Sequence, residues 1–328
     1  MKRRDVMAGA AATAIPPSWF VAASARAQAA TPVIGLLGGS SPSPQIVAWW
    51  LEGLAQNGFD VGRNLAVAYR WADNRPERLP ALTQELLRLP VVLIVAIQSG
   101  APAQAAKAAT SSVPIVFEVG ADPVASGLVA SLARPGGNLT GVHLFTADLN
   151  AKRISLLREM LPRPSTLAVL LNPNRPGAQD IEAEITRAAA QVGMSPVIAR
   201  VTNEGGFDAA FARFRQQRVD ALIVSNDPFF SSHHEALVAL ALRHRLPAVY
   251  ESRNFAAAGG LMSYGADRGE VFRQLGAITA RVLKGDRPAE LPVLQPTRFE
   301  LVINRRTANA LGLTIPQALL LRADEVIE

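Results

Sequence analysis

The sequence predicts an α/β protein made of two similar doubly wound lobes, and three observations lead there. From Pro32 onward, short apolar runs alternate with segments of helical spacing. The runs are short and rich in Val, Ile and Leu, as strands buried on both faces of a parallel sheet are. The alternation also occurs twice, with an offset of about 130 residues, which a pair of related lobes would produce.

The chain has 328 residues, 49% of them hydrophobic and 18% charged, a globular composition too long for one small core. Its opening, "MKRRDVMAGAAATAIPPSWFVAASARAQAA", is basic at Lys2, Arg3 and Arg4, then apolar, then broken by Pro16-Pro17. Small residues stand at the spacing of a cleavage site in Ala25-Arg26-Ala27 and Ala27-Gln28-Ala29, so residues 1–29 are expected to be a signal peptide removed after residue 27 or 29. The apolar run from Val6 to Ile15 is far short of the ~20 residues of a spanning helix. Arg3-Arg4 resembles a twin-arginine signal, while the residues around it leave the general secretory route open. Cleavage after Ala29 removes four basic residues and one acidic residue, leaving a net charge of +3 in place of +6. No Lys/Arg run accompanies it, so nucleic acid is not an expected partner. The sequence contains no cysteine, which excludes disulfides, thiolate metal sites, a cysteine nucleophile and an N-terminal lipid anchor on cysteine. An exported, soluble protein is the expectation.

The strands are expected, in order, in "PVIGLLGG", "LAVAYRWA", "VVLIVAIQ", "PIVFEVG", "GVHLF", "TLAVLLNP", "PVIARV", "ALIVSND", "PAVYE" and "LMSYG". Helices such as "QIVAWWLEGLAQNG" and "DIEAEITRAAAQVG" lie between them. The repeat pairs "PVIGLLGGSSPSPQ" with "TLAVLLNPNRPGAQ". It also pairs the stretch from Val91 to Glu118 with the longer one from Asp220 to Glu251, the extra length suiting one more helical turn. In Trp49-Trp50, adjacent positions cannot share a helix face, so one ring is expected to pack inward.

Ligands bind beyond the carboxyl ends of parallel strands, so the strand ends are the candidate site. They read Gly38-Gly39-Ser40-Ser41, Gln98-Ser99-Gly100, Glu118-Val119-Gly120, Asn172-Pro173-Asn174, Ser225-Asn226-Asp227, Tyr250-Glu251-Ser252 and Ser263-Tyr264-Gly265. Ser40 and Ser41 precede a helix opened near Pro44, where free amides and hydroxyls suit an anion or a plain cap. The loop lacks both G-x-G-x-x-G and a G-K-[ST] ending, so no nucleotide cofactor is expected. "ARPGGNLTG", residues 133–141, reads as a turn. His143, His233, His234 and His244 have no metal-binding spacing, and no metal is expected. Gly260-Leu261-Met262-Ser263-Tyr264-Gly265 misses the G-x-S-x-G elbow, and no histidine follows His244 to complete a Ser–acid–His order.

"PIVFEVGADPVASGLVASLARPGGNLTGV", "LLNPNRP", "YESRNFAAAGGLMSYGAD" and "QPTRFELVINRRTANALGLTIPQALLLRADEVIE" closely resemble ABC-transporter substrate-binding proteins of the family that includes tryptophan and tyrosine uptake candidates. The resemblance covers residue 31 to the end. It implies a type I periplasmic binding fold, two Rossmann-like lobes joined by three crossovers, with residues 31–144 plus 266–293 in one lobe and 145–265 plus 294–328 in the other. It also implies a monomeric periplasmic protein that closes on a small solute, an amino acid or an aromatic or aliphatic carboxylate, and delivers it to a membrane permease without catalysis. Carried over by position, Ser40 and Ser41 would hold a carboxylate, with Gln98, Ser99 and Glu118 beside them. Asn172, Asn226, Asp227, Tyr250 and Glu251 would contribute from the second lobe, and Tyr264 and Asp267 would stand near a crossover. Tyr250, Phe229 or Tyr264 would flank a ring. An exported enzyme on a small carbonyl or ester compound, and a sensor of the same fold, remain alternatives.

Mass spectrometry of the protein recovered from cells is expected to find a chain beginning at residue 28 or 30. An intact Met1 would contradict the cleavage site.

Overall fold

The structure, a computed structural model, describes residues 31–144, 146–175 and 177–328; the expected signal peptide lies outside the described residues. In the first half, β1 (Val33–Gly38), β2 (Ala66–Trp71), β3 (Val91–Ile97), β4 (Ile115–Val119) and β5 (Leu139–His143) form an all-parallel sheet in the order β2-β1-β3-β4-β5. Helix α1 (Pro44–Ala55) lies on one face of it, and α2 (Leu79–Leu87) and α3 (Gly100–Ala109) lie on the other.

The second half repeats that winding. After α4 (Thr146–Met160) come β6 (Thr166–Leu171), α5 (Ala178–Gln191), β7 (Ser195–Arg200), α6 (Phe207–Gln216) and β8 (Ala221–Val224). These are followed by α7 (Pro228–Ser232), α8 (His234–Arg243), β9 (Ala248–Tyr250), α9 (Arg253–Ala257) and β10 (Met262–Ala266). Read from its β7 edge, the second sheet runs β7-β6-β8-β9-β10, the same order of winding as the first. All ten strands expected from the apolar runs form. The extra residues between β8 and β9 are a separate short helix, α7, started by Pro228 after the Asp227 cap, and not one lengthened helix. The second sheet also gains two strands, β11 (Phe299–Asn304), antiparallel to β10, and β12 (Glu325–Ile327). Between them lie α11 (Arg305–Leu311) and α12 (Gln317–Arg322).

The two halves exchange helices. Helix α4 follows the last strand of the first sheet, yet its Ile154, Leu157 and Met160 pack with Leu167, Val169 and Val249 of the second. Helix α10 (Arg268–Leu283) follows β10, yet its Val271, Phe272 and Leu275 pack with Ile34, Trp50 and Val95 of the first. Leu294 then bridges to Val142 at the edge of the first sheet before the chain enters β11.

Helices α1 and α10 meet backbone to backbone. A Cβ added to Gly276 would overlap the Trp50 carbonyl and stand 2.8 Å from the Gly53 Cα, and one added to Gly53 would overlap the Arg273 carbonyl. Trp50 is 1% exposed, and its Nε1 donates to Thr279 Oγ1 at 3.2 Å, which satisfies the one polar atom of the ring. Trp49, its neighbour, is only partly buried. Among the described residues, no helix is long and apolar enough to cross a membrane.

A valine at Gly276 has no space without separating the two helices, and overpacking of this kind destabilises by about 1–3 kcal/mol or more. Urea unfolding of Gly276→Val is expected to show a lower midpoint at unchanged slope. A midpoint equal to the wild type would contradict the close contact.

Candidate functional site

The carboxyl ends of the first sheet are knitted together by Gln98. Its backbone sits in the left-handed region at φ 72°, where non-glycine residues are uncommon and mark sites that the surroundings hold in place. The Gln98 amide donates to Glu118 Oε2 at 2.8 Å, its Oε1 accepts the Ser40 amide at 3.1 Å, and its Nε2 donates to the Ser41 carbonyl at 3.3 Å. One residue thus ties β1, β3 and β4 at their ends. The Ser40 amide is therefore taken by the protein itself, so the expected set of free amides is reduced. The Ser41 hydroxyl donates to the Asp73 carboxylate. Ser40 is buried and Ser41 exposed beside Asp73, whose carboxylate pairs with Arg78 at 2.6 Å. Ser99 is the N-cap of α3 without a capping side-chain bond. Glu118 is 3% exposed; burial raises its pKa, opposed by the charge of Arg268 and the Gln98 amide, while Glu251 adds to the rise.

In the second sheet, β8 and β9 supply the carboxylates. Asp227 is buried, caps α7 by accepting the Phe229 amide at 2.8 Å, and accepts Asn172 Nδ2 at 3.2 Å. Burial raises its pKa, and Asn172 and Arg175 oppose the rise. Glu251, also buried, accepts the hydroxyl of Ser231, whose Oγ reaches the Asp227 carbonyl at 3.0 Å. Asn226 is half-buried next to Asp227. Asp267 caps α10 by accepting the Glu270 amide at 3.1 Å.

Two arginines complete the group. Arg153, on α4, is 1% exposed; its Nε donates to the Tyr264 carbonyl at 2.7 Å and its Nη1 to Asn150 Oδ1 at 3.0 Å. Burial pulls its pKa down to about 10, and Glu251 and Glu184 push it back, so it stays charged at neutral pH. Arg175, after β6, is half-buried with Nη1 inaccessible and unpaired, in the field of Asp227 and Glu251. The Ser225 Oγ, at the end of β8, is likewise buried without a partner.

Glu118 of the first sheet and Glu251 of the second act on each other electrostatically, and Arg153, Arg175 and Arg268 act on one or the other. Asp227 belongs with them through Arg175. The two expected tyrosines are placed differently from each other. Tyr250 alternates to the opposite face of β9, where its ring stacks on Phe255 with centroids 4.5 Å apart in the α6–α9 core, 1% exposed. Tyr264 rests on the α4–α5 core beside Phe299 at 6.2 Å, and contributes its carbonyl to Arg153. Phe229 stacks on Phe207 at 5.4 Å. The sequence reading missed Arg153, Arg175, Arg268 and Ser231. Arg153 had a signal: it stands with Asn150, Ile154, Leu157 and Met160 on the apolar stripe of its helix, where a charge needs a reason. Arg175 had none.

The histidines are engaged locally, His233 Nδ1 with the Phe229 carbonyl at 2.7 Å and His234 Nδ1 with that of Ser231 at 3.0 Å. Among the described residues, no group of three His, Asp or Glu is placed to hold a metal.

Two lobes wound alike, with buried charges of both signs at their facing strand ends, define a two-lobed solute-binding fold. The family of ABC transporter substrate binding proteins matches residues 41–327, and the chain belongs to that family. Such proteins work outside the cytoplasm with a small-molecule solute and an ABC permease. The chain is 24% identical over 265 residues to the tyrosine-binding protein of Clostridioides difficile, covering 80% of this chain and 75% of that one. A conserved domain protein from Vibrio cholerae superposes with a TM-score of 0.83 at 27% identity, over 90% of this chain and 99% of that chain. The ABC domain from Streptococcus pneumoniae in complex with L-Trp shares the fold at a TM-score of 0.83 and 24% identity, over 90% and 100%.

A carboxyl whose folded pKa lies above its unfolded value binds more protons folded than unfolded, so its contribution to stability falls as pH rises through that interval. For Glu118 the interval starts at the ordinary glutamate range and runs upward. Glu118→Gln is expected to gain stability relative to the wild type as pH climbs through it, read as melting temperature against pH without ligand. Parallel profiles would show that Glu118 is not desolvated.

Proposed function

We propose that the protein is the periplasmic receptor of an amino-acid importer, taking one zwitterionic solute with an aromatic or apolar side chain between its lobes. The observation that carries this reading is the buried charge of both signs at the strand ends, Glu118 in one sheet and Asp227, Glu251 and the nearby Arg153 and Arg175 in the other. A carboxylate pair offers a seat to an ammonium group, and unpaired guanidinium nitrogen with serine hydroxyls offers one to a carboxylate. Two relatives, a tyrosine-binding protein and a domain in complex with L-Trp, support the same ligand class.

In this reading Ser40, Ser41, Gln98, Ser99 and Glu118 form the first wall, and Asn172, Asn226, Asp227 and Glu251 the second, with Asp267 at a crossover. Residues 31–144 with 266–293 make one lobe and 145–265 with 294–328 the other, supported by the exchange of α4 and α10; Leu294 itself still touches the first sheet. A solute that touches both walls stabilises the closed form by its differential affinity, and the permease reads that form. The protein acts as a monomer, exported behind residues 1–29, and performs no chemistry on its cargo.

Calorimetry and thermal shift of residues 30–328 against L-tyrosine, L-tryptophan, L-leucine and 4-hydroxybenzoate test the reading. One-to-one saturable binding is expected for at least one, with a stabilisation of ~2.7 kcal/mol at 100 times its Kd. Glu251→Ala is expected to weaken it by tenfold or more. Product in excess of protein, no binding by any of the three amino acids, or binding of 4-hydroxybenzoate alone would overturn it.

A further inference from the structure

We infer that Trp71 is the wall against which the ring or apolar side chain of the solute packs, and that Gly38 is what lets the indole reach that place. The inference rests on the solute reading above and adds a residue to it.

In a sheet wound β2-β1-β3-β4-β5, the crevice opens beyond the ends of β1 and β3, where the winding reverses. Strand β2 is the outer edge and would ordinarily contribute nothing there. Its last residue, Trp71, is the register partner of Gly38, the last residue of β1. A Cβ added to Gly38 would overlap the six-membered ring of Trp71 and stand 3.0 Å from Gln98 Oε1. The indole therefore lies across the end of β1 and comes up to the Gln98 side chain, whose Oε1 holds the Ser40 amide. It shares a wall with the serine loop and with the residue that ties Glu118 in place.

The chain beyond Trp71 is built to keep it there. The Ala72 amide donates to the Gly38 carbonyl at 2.9 Å and the Asn74 amide to the Gly39 carbonyl at 3.0 Å. Asp73 and Asn74 turn the chain at φ 55° and 59°, a conformation that short polar side chains tolerate best, and the Asp73–Arg78 pair closes the turn.

A tryptophan that served only the core would be finished like Trp50, which is fully buried with its N–H bonded. Trp71 is half-buried: one part packs on the α1–α10 core, the rest is uncovered, and its indole N–H has no partner among the described residues. An indole face with a free N–H at a crevice that also holds buried charges recognises a planar or branched apolar group, and a ring best.

The test is calorimetry of residues 30–328 with L-tyrosine, L-tryptophan and L-leucine on the wild type, Trp71→Phe and Trp71→Leu, with indole emission followed during the tyrosine titration. For the tightest of the three, Trp71→Leu is expected to weaken binding at least tenfold and Trp71→Phe less than threefold. Tyrosine is expected to change the emission of the wild type, and Trp71→Phe to bind tyrosine without that change. A structural role alone would lower the melting temperature and leave the emission response in place. Equal affinity in Trp71→Leu overturns this inference and leaves the solute reading standing. Failure of all three amino acids to bind the wild type overturns the ligand class, and this inference with it.

Discussion

The contact on which the rest of the molecule depends is the close approach of α1 and α10. Gly53 and Gly276 let the two backbones touch, and Trp50 locks the pair by filling the space above them and donating to Thr279. Without it, Val271, Phe272 and Leu275 would have no surface to cover, and the first sheet would have one face exposed to water. Since α10 follows a strand of the second sheet, the same contact fixes where the chain crosses between the sheets. Glu118, at the end of β4, and Glu251, just after β9, are then near enough for the charge of one to act on the other.

Buried charge at this place is unfavourable for the empty protein. Glu118 and Asp227 are both pushed toward their neutral forms by burial, and Arg153 toward loss of its proton. The arginines offset part of that penalty. Arg175 Nη1 and Ser225 Oγ are left without partners. Unmade bonds of this type are what a polar ligand would complete under the proposed reading.

Much of the fold could be read from residues. Parallel strands buried on both faces keep uninterrupted apolar runs, and all ten such runs became strands. β11 and β12 escaped because Glu300 and Glu325 interrupt their short apolar runs, and β12 also sits at the edge of the second sheet, where burial is partial. The rule that ligands lie beyond strand ends pointed to Gln98, Glu118, Asp227 and Glu251, polar residues that the structure places at or just past the ends of β3, β4, β8 and β9. It could not tell which face of the sheet a side chain takes at the very end of a strand. Tyr250 and Glu251 are adjacent, and the alternation of β9 sends one into the core and the other to its rim. Arg153 and Arg175 come from a helix interior and a loop, places the rule does not search.

The exchange of α4 and α10 also fixes an order of events during synthesis. The first sheet is complete in sequence at His143, but the helix that seals its α1 face ends at Leu283. More than a hundred residues must therefore be made before Trp50 finds Thr279. Contacts so far apart in sequence form slowly, because the intervening chain must be closed into a loop first. The amino-terminal half leaves the ribosome with an apolar face that α1 covers only in part, and it finishes folding only when α10 arrives.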